Sequence, residues 1–496
     1  MKKRTTFKVI RTFVTFPIID FERIKQQVLD WAARFDICCF LDSHHYQLPS
    51  RDLECILGAG ARHILQADAG TALDELHHFI QLYNDGQKDW IFGHLGYGLA
   101  SETEPVHAAG GLGALGAAGA VSAACVSGAA GAVSAADIVS PAAAVTNSNI
   151  AGTNPIGFPD CCFFVPEILI ELTKETIRIG VFSGNQEEIL EQILQRPGAE
   201  GLPDRVIAEQ EIAEQVIGEP WTLQPRFTRD QYLQTVKSLQ EHILRGDCYE
   251  INFCQEFFAY PAVIDPFQIW ERLSRSSPNP FAAFYRLKDS YLLCASPERY
   301  LKRTGDTIIS QPIKGTSPRI PDNPVEDEAS RDQLYNSSKD RAENVMVVDL
   351  VRNDLSKICR EGSVTVDELY GIYSFPHVHQ MISTVKGKLL PGTGLVDCIR
   401  ATFPMGSMTG APKNRVVGLI EEYERTTRGI FSGAVGYINP EGDFDFNVVI
   451  RSILYNSRNR YLSYLVGSGI TWYSNPVAEY EECLWKAEGM KRALGI

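Results

Sequence analysis

The chain has no Cys-x-x-Cys pair, although it carries 12 cysteines, with adjacent pairs at Cys38–Cys39 and Cys161–Cys162. That excludes a zinc ribbon and a thioredoxin-like redox centre, and the thiols read as free groups in a reducing compartment. It has no basic excess either. A formal net charge of −14 over 496 residues argues against non-specific nucleic-acid binding. It leaves a small anionic substrate open, because local charge decides that. No Gly-Lys-Ser/Thr loop is present, which removes a P-loop ATPase. The start, MKKRTTFKVIRTFVTFP, lacks an unbroken apolar core, because Lys8 and Arg11 interrupt it, and no small-residue cleavage site follows. The expected location is cytoplasmic.

What is present suits a folded soluble protein: 44% hydrophobic and 22% charged residues. The length allows about two to four average domains. Residues 1–100 mix apolar strands (FKVIRTFVTF, CCFLDS, WIFGHLGYG) with one helical stretch, ALDELHHFIQLYN, which predicts an α+β unit with antiparallel strands. Residues 108–153 differ in kind. They are almost entirely Ala, Gly, Ser and Val with one charged residue, Asp137, and GAAGAVSAA occurs at 116–124 and again at 128–136. Such a segment has no large side chains to bury and reads as a flexible surface insertion without a catalytic part. Beyond it, FPDCCFFVPEILIEL and TIRIGVFSG read as strands, and 186–220 as a helix and a charged linker. From Phe227 an amphipathic helix (TRDQYLQTVKSLQEHILRGD) leads into the strand YEINFCQEFFAY. The expected division is 1–226, interrupted by the insert, and 227–496, which holds the chemistry.

Six stretches of the second part carry candidate site residues. QPIKGTSPR sets Lys314 between an apolar pair and Gly315. CASPERY places Glu298 just after a strand, and the two side chains read as an acid–nucleophile pair or a structural ion pair. After Gly467, Ser468 and Gly469, whose backbone can approach a ligand closely, Pro476 opens a helix. Its Glu479, Glu482 and Lys486 share one face, which is either solvated or supplies oxygen ligands to a hard cation such as Mg²⁺. In KDRAENVMVVDLVRNDL, Glu343 is a third candidate oxygen ligand or a helix-start carboxylate. In ATFPMGSMTGAPKNRVV a loop ending in Thr409 and Gly410 runs into a helix at Pro412–Lys413, a ready site for an anion. Arg451, in an apolar strand, is either a partnered surface residue or a clamp for a carboxylate.

Taken in order, SPERY, PIKGTSPR, AENVMVVDLVRNDL, TFPMGSMTGAPK, SGAVGYI, DFNVVIRS, GSGI and EYEECLWKA resemble the chorismate-utilising enzyme family over roughly 227–490. That family includes anthranilate, aminodeoxychorismate, isochorismate and salicylate synthases. The resemblance implies an α+β fold of two large, mostly antiparallel sheets facing each other, with helices outside. It implies Mg²⁺ held by Glu343, Glu479 and Glu482, with Glu298 as the acid that protonates the leaving 4-hydroxyl. Arg451, Tyr437 and the Gly467–Gly469 backbone are expected on the enolpyruvyl carboxylate, Thr409, Gly410 and Lys413 in a loop closing the pocket, and Lys486 among the substrate-binding groups.

Lysine at position 314, where many members have alanine, implies the aminodeoxychorismate branch. There the amine adds to C2 of chorismate and ammonia enters at C4, giving 4-amino-4-deoxychorismate for p-aminobenzoate and folate synthesis. A dry pocket should lower the pKa of such an amine. The alternatives are an anthranilate synthase, releasing pyruvate, or a non-catalytic chorismate-fold binding protein. Glu250 stands where glutamine is usual, and Gln380, next to His379, where many members have histidine. No glutamine amidotransferase signature occurs, so ammonia is expected from a separate glutaminase subunit.

Overall fold

The computed structural model describes residues 10–46, 54–84, 88–104, 154–196, 221–375 and 378–496. The Ala/Gly insert 108–153 and the linker part of 186–220 fall outside them. Two antiparallel sheets dominate, as expected. The larger has 12 strands and runs from Thr12–Pro17 through Ile37–Asp42, Phe281–Leu287, Ser290–Ser296, Ser452–Asn456 and Tyr461–Ile470 to Glu250–Ala259 and the short edge Gly410–Ala411. The smaller has 10 and sets Ile313–Pro318 beside Val378–Lys388, then Thr307–Gln311, Arg299–Thr304, Phe444–Asn447, Ala434–Ile438 and Ile91–Leu95. Strands from either side of residue 227 share both sheets: Ile37–Asp42 pairs with Phe281–Leu287, and Ile91–Leu95 with Ala434–Ile438.

The two-residue period of a strand explains the layering. Cys39 and Leu41 point into a core shared with Phe92, Cys162 and Phe446 of the smaller sheet. Cys38 and Phe40, on the opposite face, pack with Trp31, Leu239, Trp270 and Met490 from helices. The larger sheet is therefore covered on both faces, by the second sheet and by helices outside. This is why its strands read as continuous apolar runs rather than alternating ones. All 11 described cysteines are buried and none forms a disulfide among the described residues, so sulfur serves here mainly as small apolar filling. Among the described residues no helix is long and apolar enough to cross a membrane.

The helices that matter most begin where the sequence signals a start. Ser338–Ser356 is capped by Ser337, whose hydroxyl accepts the Asp340 N–H. Pro476–Leu494 has Pro476 in its first turn, and the Asn475 side chain accepts the N–H groups of Val477 and Ala478. It ends on Gly495 in the left-handed conformation. This last helix packs on the helices Arg229–Leu244 and Pro266–Ser276 and on the strand Tyr461–Ile470.

Replacing the cap, Asn475→Ala, should cost about 1 kcal/mol, read as a lower urea midpoint, while Asn475→Asp should hold the wild-type midpoint within experimental spread. An unchanged midpoint in Asn475→Ala would show that packing alone fixes this helix end.

Candidate active site

One cavity of about 430 Å³ opens at the end of the sandwich where the chain passes from one sheet to the other. The first passage joins Ser290–Ser296 of the larger sheet to Arg299–Thr304 of the smaller, and Glu298 sits on it. The second joins Phe444–Asn447 of the smaller sheet to Ser452–Asn456 of the larger, and Arg451 sits on that one, in the left-handed region at φ 52°. Both side chains line the cavity. The crossings are tied together: the Val448 N–H donates to the Glu298 carbonyl at 3.0 Å, and the Ala295 N–H to the Arg451 carbonyl at 3.2 Å.

Lys314 reaches the same space from the edge strand Ile313–Pro318. Its pairing with Val378–Lys388 slips between Ile313 and Thr316, and Gly315 takes φ 92° there. A side chain at 315 would be strained and would press on Asp340, so glycine allows the kink that lifts Lys314 off the sheet edge. The ammonium donates to Glu250 Oε1 at 2.6 Å. Glu250 opens the strand Glu250–Ala259 of the other sheet, so this buried pair bridges the two sheets. The expected neutral amine is not what forms. Burial works against the charge, but Glu250, Glu343 and Glu482 outweigh it and hold the Lys314 pKa above that of an ordinary lysine.

Glu298 is the opposite case. Burial pushes its carboxyl up to about 7, against the Ser407 hydroxyl, which donates to it at 2.6 Å, and the charge of Lys314. Near neutral pH it can therefore carry a proton to give. Arg451 has its pKa lowered to about 10 by burial, with Glu482 opposing. No hydrogen bond or ion pair engages its guanidinium among the described residues, which leaves the donor fork free for an anion. Lys486 donates to the Gly467 carbonyl at 2.9 Å and pairs with Glu482 at 2.6 Å.

Glu343 and Glu482 line the cavity, and Glu479 is buried behind them. Lys339 stands between, with its Nζ 3.2 Å from Glu479 and 3.8 Å from Glu343. Glu343 Oε1 is buried without a hydrogen-bond partner, and burial raises this carboxyl to about 7. Glu482 is lowered: burial raises it, but Lys486, Lys339 and Lys314 prevail. Among the described residues no three metal-ligating side chains are closed into a ready cage. The donor set is nonetheless all oxygen, and Glu343 Oε1 makes no hydrogen bond, so the residues fit Mg²⁺ in chemistry.

Six expected positions do not line the cavity. Ser468 alternates to the far face of its strand and meets the Tyr232 hydroxyl at 3.3 Å. The strand does not end at Gly467 but runs on to Ile470. Tyr437 packs its ring 5.3 Å from Trp90 in the smaller sheet. Thr409 and Gly410 are used up in backbone bonding: the Thr409 carbonyl accepts the Asn252 N–H, and Gly410 pairs with Ile251. Lys413 is buried against Asp354 at 2.6 Å and is no lid residue. Glu479 meets Lys339 rather than open space.

Residues the sequence did not single out replace them. Phe431 and Trp485, rather than Tyr437, are the aromatics at the cavity, with Ser407, Asn252 and Lys339. Ser407 lies inside the quoted stretch TFPMGSMTGAPK and Phe431 just before SGAVGYI, but nothing in the pattern said which way they face. Gln380 lines the cavity with its Oε1 unpartnered. His379 turns away to Ser374 at 2.8 Å and Asp327 at 3.2 Å.

In this two-sheet sandwich the crossover loops, the edge-strand lysine and the paired helices converge on one cavity lined by both carboxylates and cations. The chain belongs to the chorismate-binding enzyme family, whose sequence profile matches residues 136–492. It is 41% identical over 260 residues to aminodeoxychorismate synthase component 1 of Salmonella typhimurium, covering 52% of this chain and 56% of that protein. It is 39% identical over 271 residues to the protein of that name from Escherichia coli, covering 55% and 59%. The chain thus spans somewhat over half the length of these relatives. The crystal structure of anthranilate synthase component I from Streptococcus pneumoniae superposes with a TM-score of 0.65 at 25% identity, over 90% of this chain and 93% of that one.

Lys413→Met should strand the buried Asp354, which keeps only its bond from Lys357 at 2.9 Å. A loss of about 3 kcal/mol in stability is expected, with the affinity for an anion in the cavity unchanged. Thermal melting and ligand titration on the same sample check it; weakened binding at unchanged stability would return Lys413 to the pocket.

Proposed function

We propose that the chain is the chorismate-aminating component of an aminodeoxychorismate synthase. It converts chorismate and ammonia into 4-amino-4-deoxychorismate, with Lys314 as nucleophile and Glu298 as general acid. The observation that carries this reading is the amine of Lys314, lifted into the cavity that Glu298 also lines. A sensor would need no such pair, because binding alone calls for neither a nucleophile nor a buried acid.

Arg451 and Lys486, with the backbone at Gly467 and Gly469, would hold the carboxylates of the substrate. Glu343 and Glu482, which line the cavity, would hold Mg²⁺, joined by Glu479 once Lys339 gives up its place there; the ion when bound supplies positive charge to the ring carboxylate. Glu298 gives its proton to the departing 4-hydroxyl, so water leaves rather than hydroxide. Ammonia then displaces Lys314 and enters at C4. Gln380 in the cavity, with His379 turned away, supports a reaction that stops at the aminated product, since no imidazole lines the cavity among the described residues. A glutamine amidotransferase subunit would supply the ammonia in the cytoplasm. The names of the relatives, which call them component 1, support a partner of some kind.

Product analysis tests the reading. With chorismate, Mg²⁺ and ammonium, the protein should form aminodeoxychorismate without matching pyruvate. Lys314→Ala should reduce that formation by at least about a hundredfold. Anthranilate with equimolar pyruvate would assign the chain to the anthranilate synthases instead.

The acid role also predicts a pH dependence. Glu298 works protonated, so kcat/KM should fall on the alkaline side with an apparent pKa near 7. The Ser407 hydrogen bond favours the ionised form. Ser407→Ala should therefore move this limb to higher pH, and an unmoved limb would detach it from Glu298.

A further inference from the structure

We infer that Glu250 is the built-in proton acceptor that converts the Lys314 ammonium into the attacking amine. This rests on the reading of Lys314 as a nucleophile. An ammonium has no lone pair, so a proton must leave before a bond to carbon can form. The hydrogen bond from Lys314 Nζ goes to Glu250 Oε1 at 2.6 Å, and both side chains are buried. Of the other charged groups facing this amine, Glu343 and Glu482 act on it through space, Glu298 is occupied by Ser407, and Lys486 and Lys339 are engaged with Glu482 and Glu479. Gly469 completes the arrangement. A Cβ there would come within 2.8 Å of both Glu250 Oε1 and Lys314 Nζ, so the missing side chain leaves the pair undisturbed.

The step balances without an added reagent. The proton passes from Lys314 Nζ to Glu250, leaving a neutral amine. Its lone pair forms the bond to C2 of chorismate while the ring double bonds shift and the C4–O bond breaks. Glu298 protonates that oxygen, and water leaves. Ammonia next forms the bond to C4, the double bonds shift back, and the bond from C2 to the lysine nitrogen breaks. The lysine departs as a neutral amine, because it was attached as a secondary ammonium. The new C4 ammonium returns a proton to Glu298, and Glu250 returns its proton to Lys314. A glutamine at 250 could keep the hydrogen bond but could not take the proton.

The test is single-turnover amination by the full chain with Mg²⁺, saturating ammonium and chorismate, from pH 7 to 9.5. Glu250→Gln should lose about a hundredfold at pH 7.5, the range for a positioned proton acceptor. Its rate relative to wild type should climb as solvent base takes over, with chorismate affinity held within about twofold. Glu250→Asp, which keeps a carboxylate, should follow the wild-type pH dependence at a reduced rate. A Glu250→Gln rate equal to or above wild type overturns the inference. So does a deficit that stays constant with pH, which would mark a merely structural pair. Full activity in Glu250→Gln beside an inactive Lys314→Ala overturns this inference alone. Full activity in Lys314→Ala overturns the nucleophile reading and this inference with it.

Discussion

The buried ion pair between Lys314 and Glu250 is the constraint on which the rest of the site depends. It joins the two sheets at the end where the chain crosses between them twice. Removing an ammonium and a carboxylate from water costs several kcal/mol each, so either group alone in this place would lose its charge. Together they keep it. Lys314 thereby stays cationic in a pocket whose burial would otherwise neutralise it. On Glu298 and Glu343 the same burial is only partly offset, by Ser407 and Lys314 in the one and by Lys314 and Lys339 in the other, and both carboxyls rise to about 7. One environment thus acts differently on the amine and on the two carboxyls according to the partners each has.

That sorting bears on the net charge of −14. In and against the cavity stand Glu250, Glu298, Asp340, Glu343, Glu479, Glu481 and Glu482 with Lys314, Lys339, Arg451 and Lys486. With every group ionised, these carboxylates outnumber the cations seven to four. With Glu298 and Glu343 pushed toward protonation, the excess falls to five against four below neutral pH. An acidic protein can in this way reduce the local repulsion that an anion meets, and the surface average does not forecast it.

The sequence revealed features that local chemistry dictates. Gly315 beside Lys314, Pro476 after Asn475 and the turn signals flanking Glu298 each impose a backbone requirement on their own neighbourhood. The sheets were legible from their apolar runs, and the helix Ala72–Asn84 coincides with its predicted stretch. What could not be read was orientation and distant partnership. Ser468 lies between two cavity glycines and faces away, because a strand alternates. Lys413 lies in a recognisable motif, but Asp354, 59 positions away, claims it. The charge state of Lys314 was misjudged for the same reason. Its partner is 64 positions distant and belongs to the opposite sheet, so no window of sequence around the lysine contains it.

The carboxylates on the two capped helices make the complementary point. Ser338–Ser356 brings Glu343 and Pro476–Leu494 brings Glu479 to a common place from different directions, and each is buried. Two such anions side by side would push the helices apart unless a cation lay between them. Lys339 fills that need one helical turn before Glu343, from a side chain that is 52% exposed. The cation is therefore held from the solvent side, 3.8 Å from Glu343 Oε1, too far for a hydrogen bond. Packing alone does not ask for a buried oxygen that makes no hydrogen bond, since an apolar side chain of that shape would cost less.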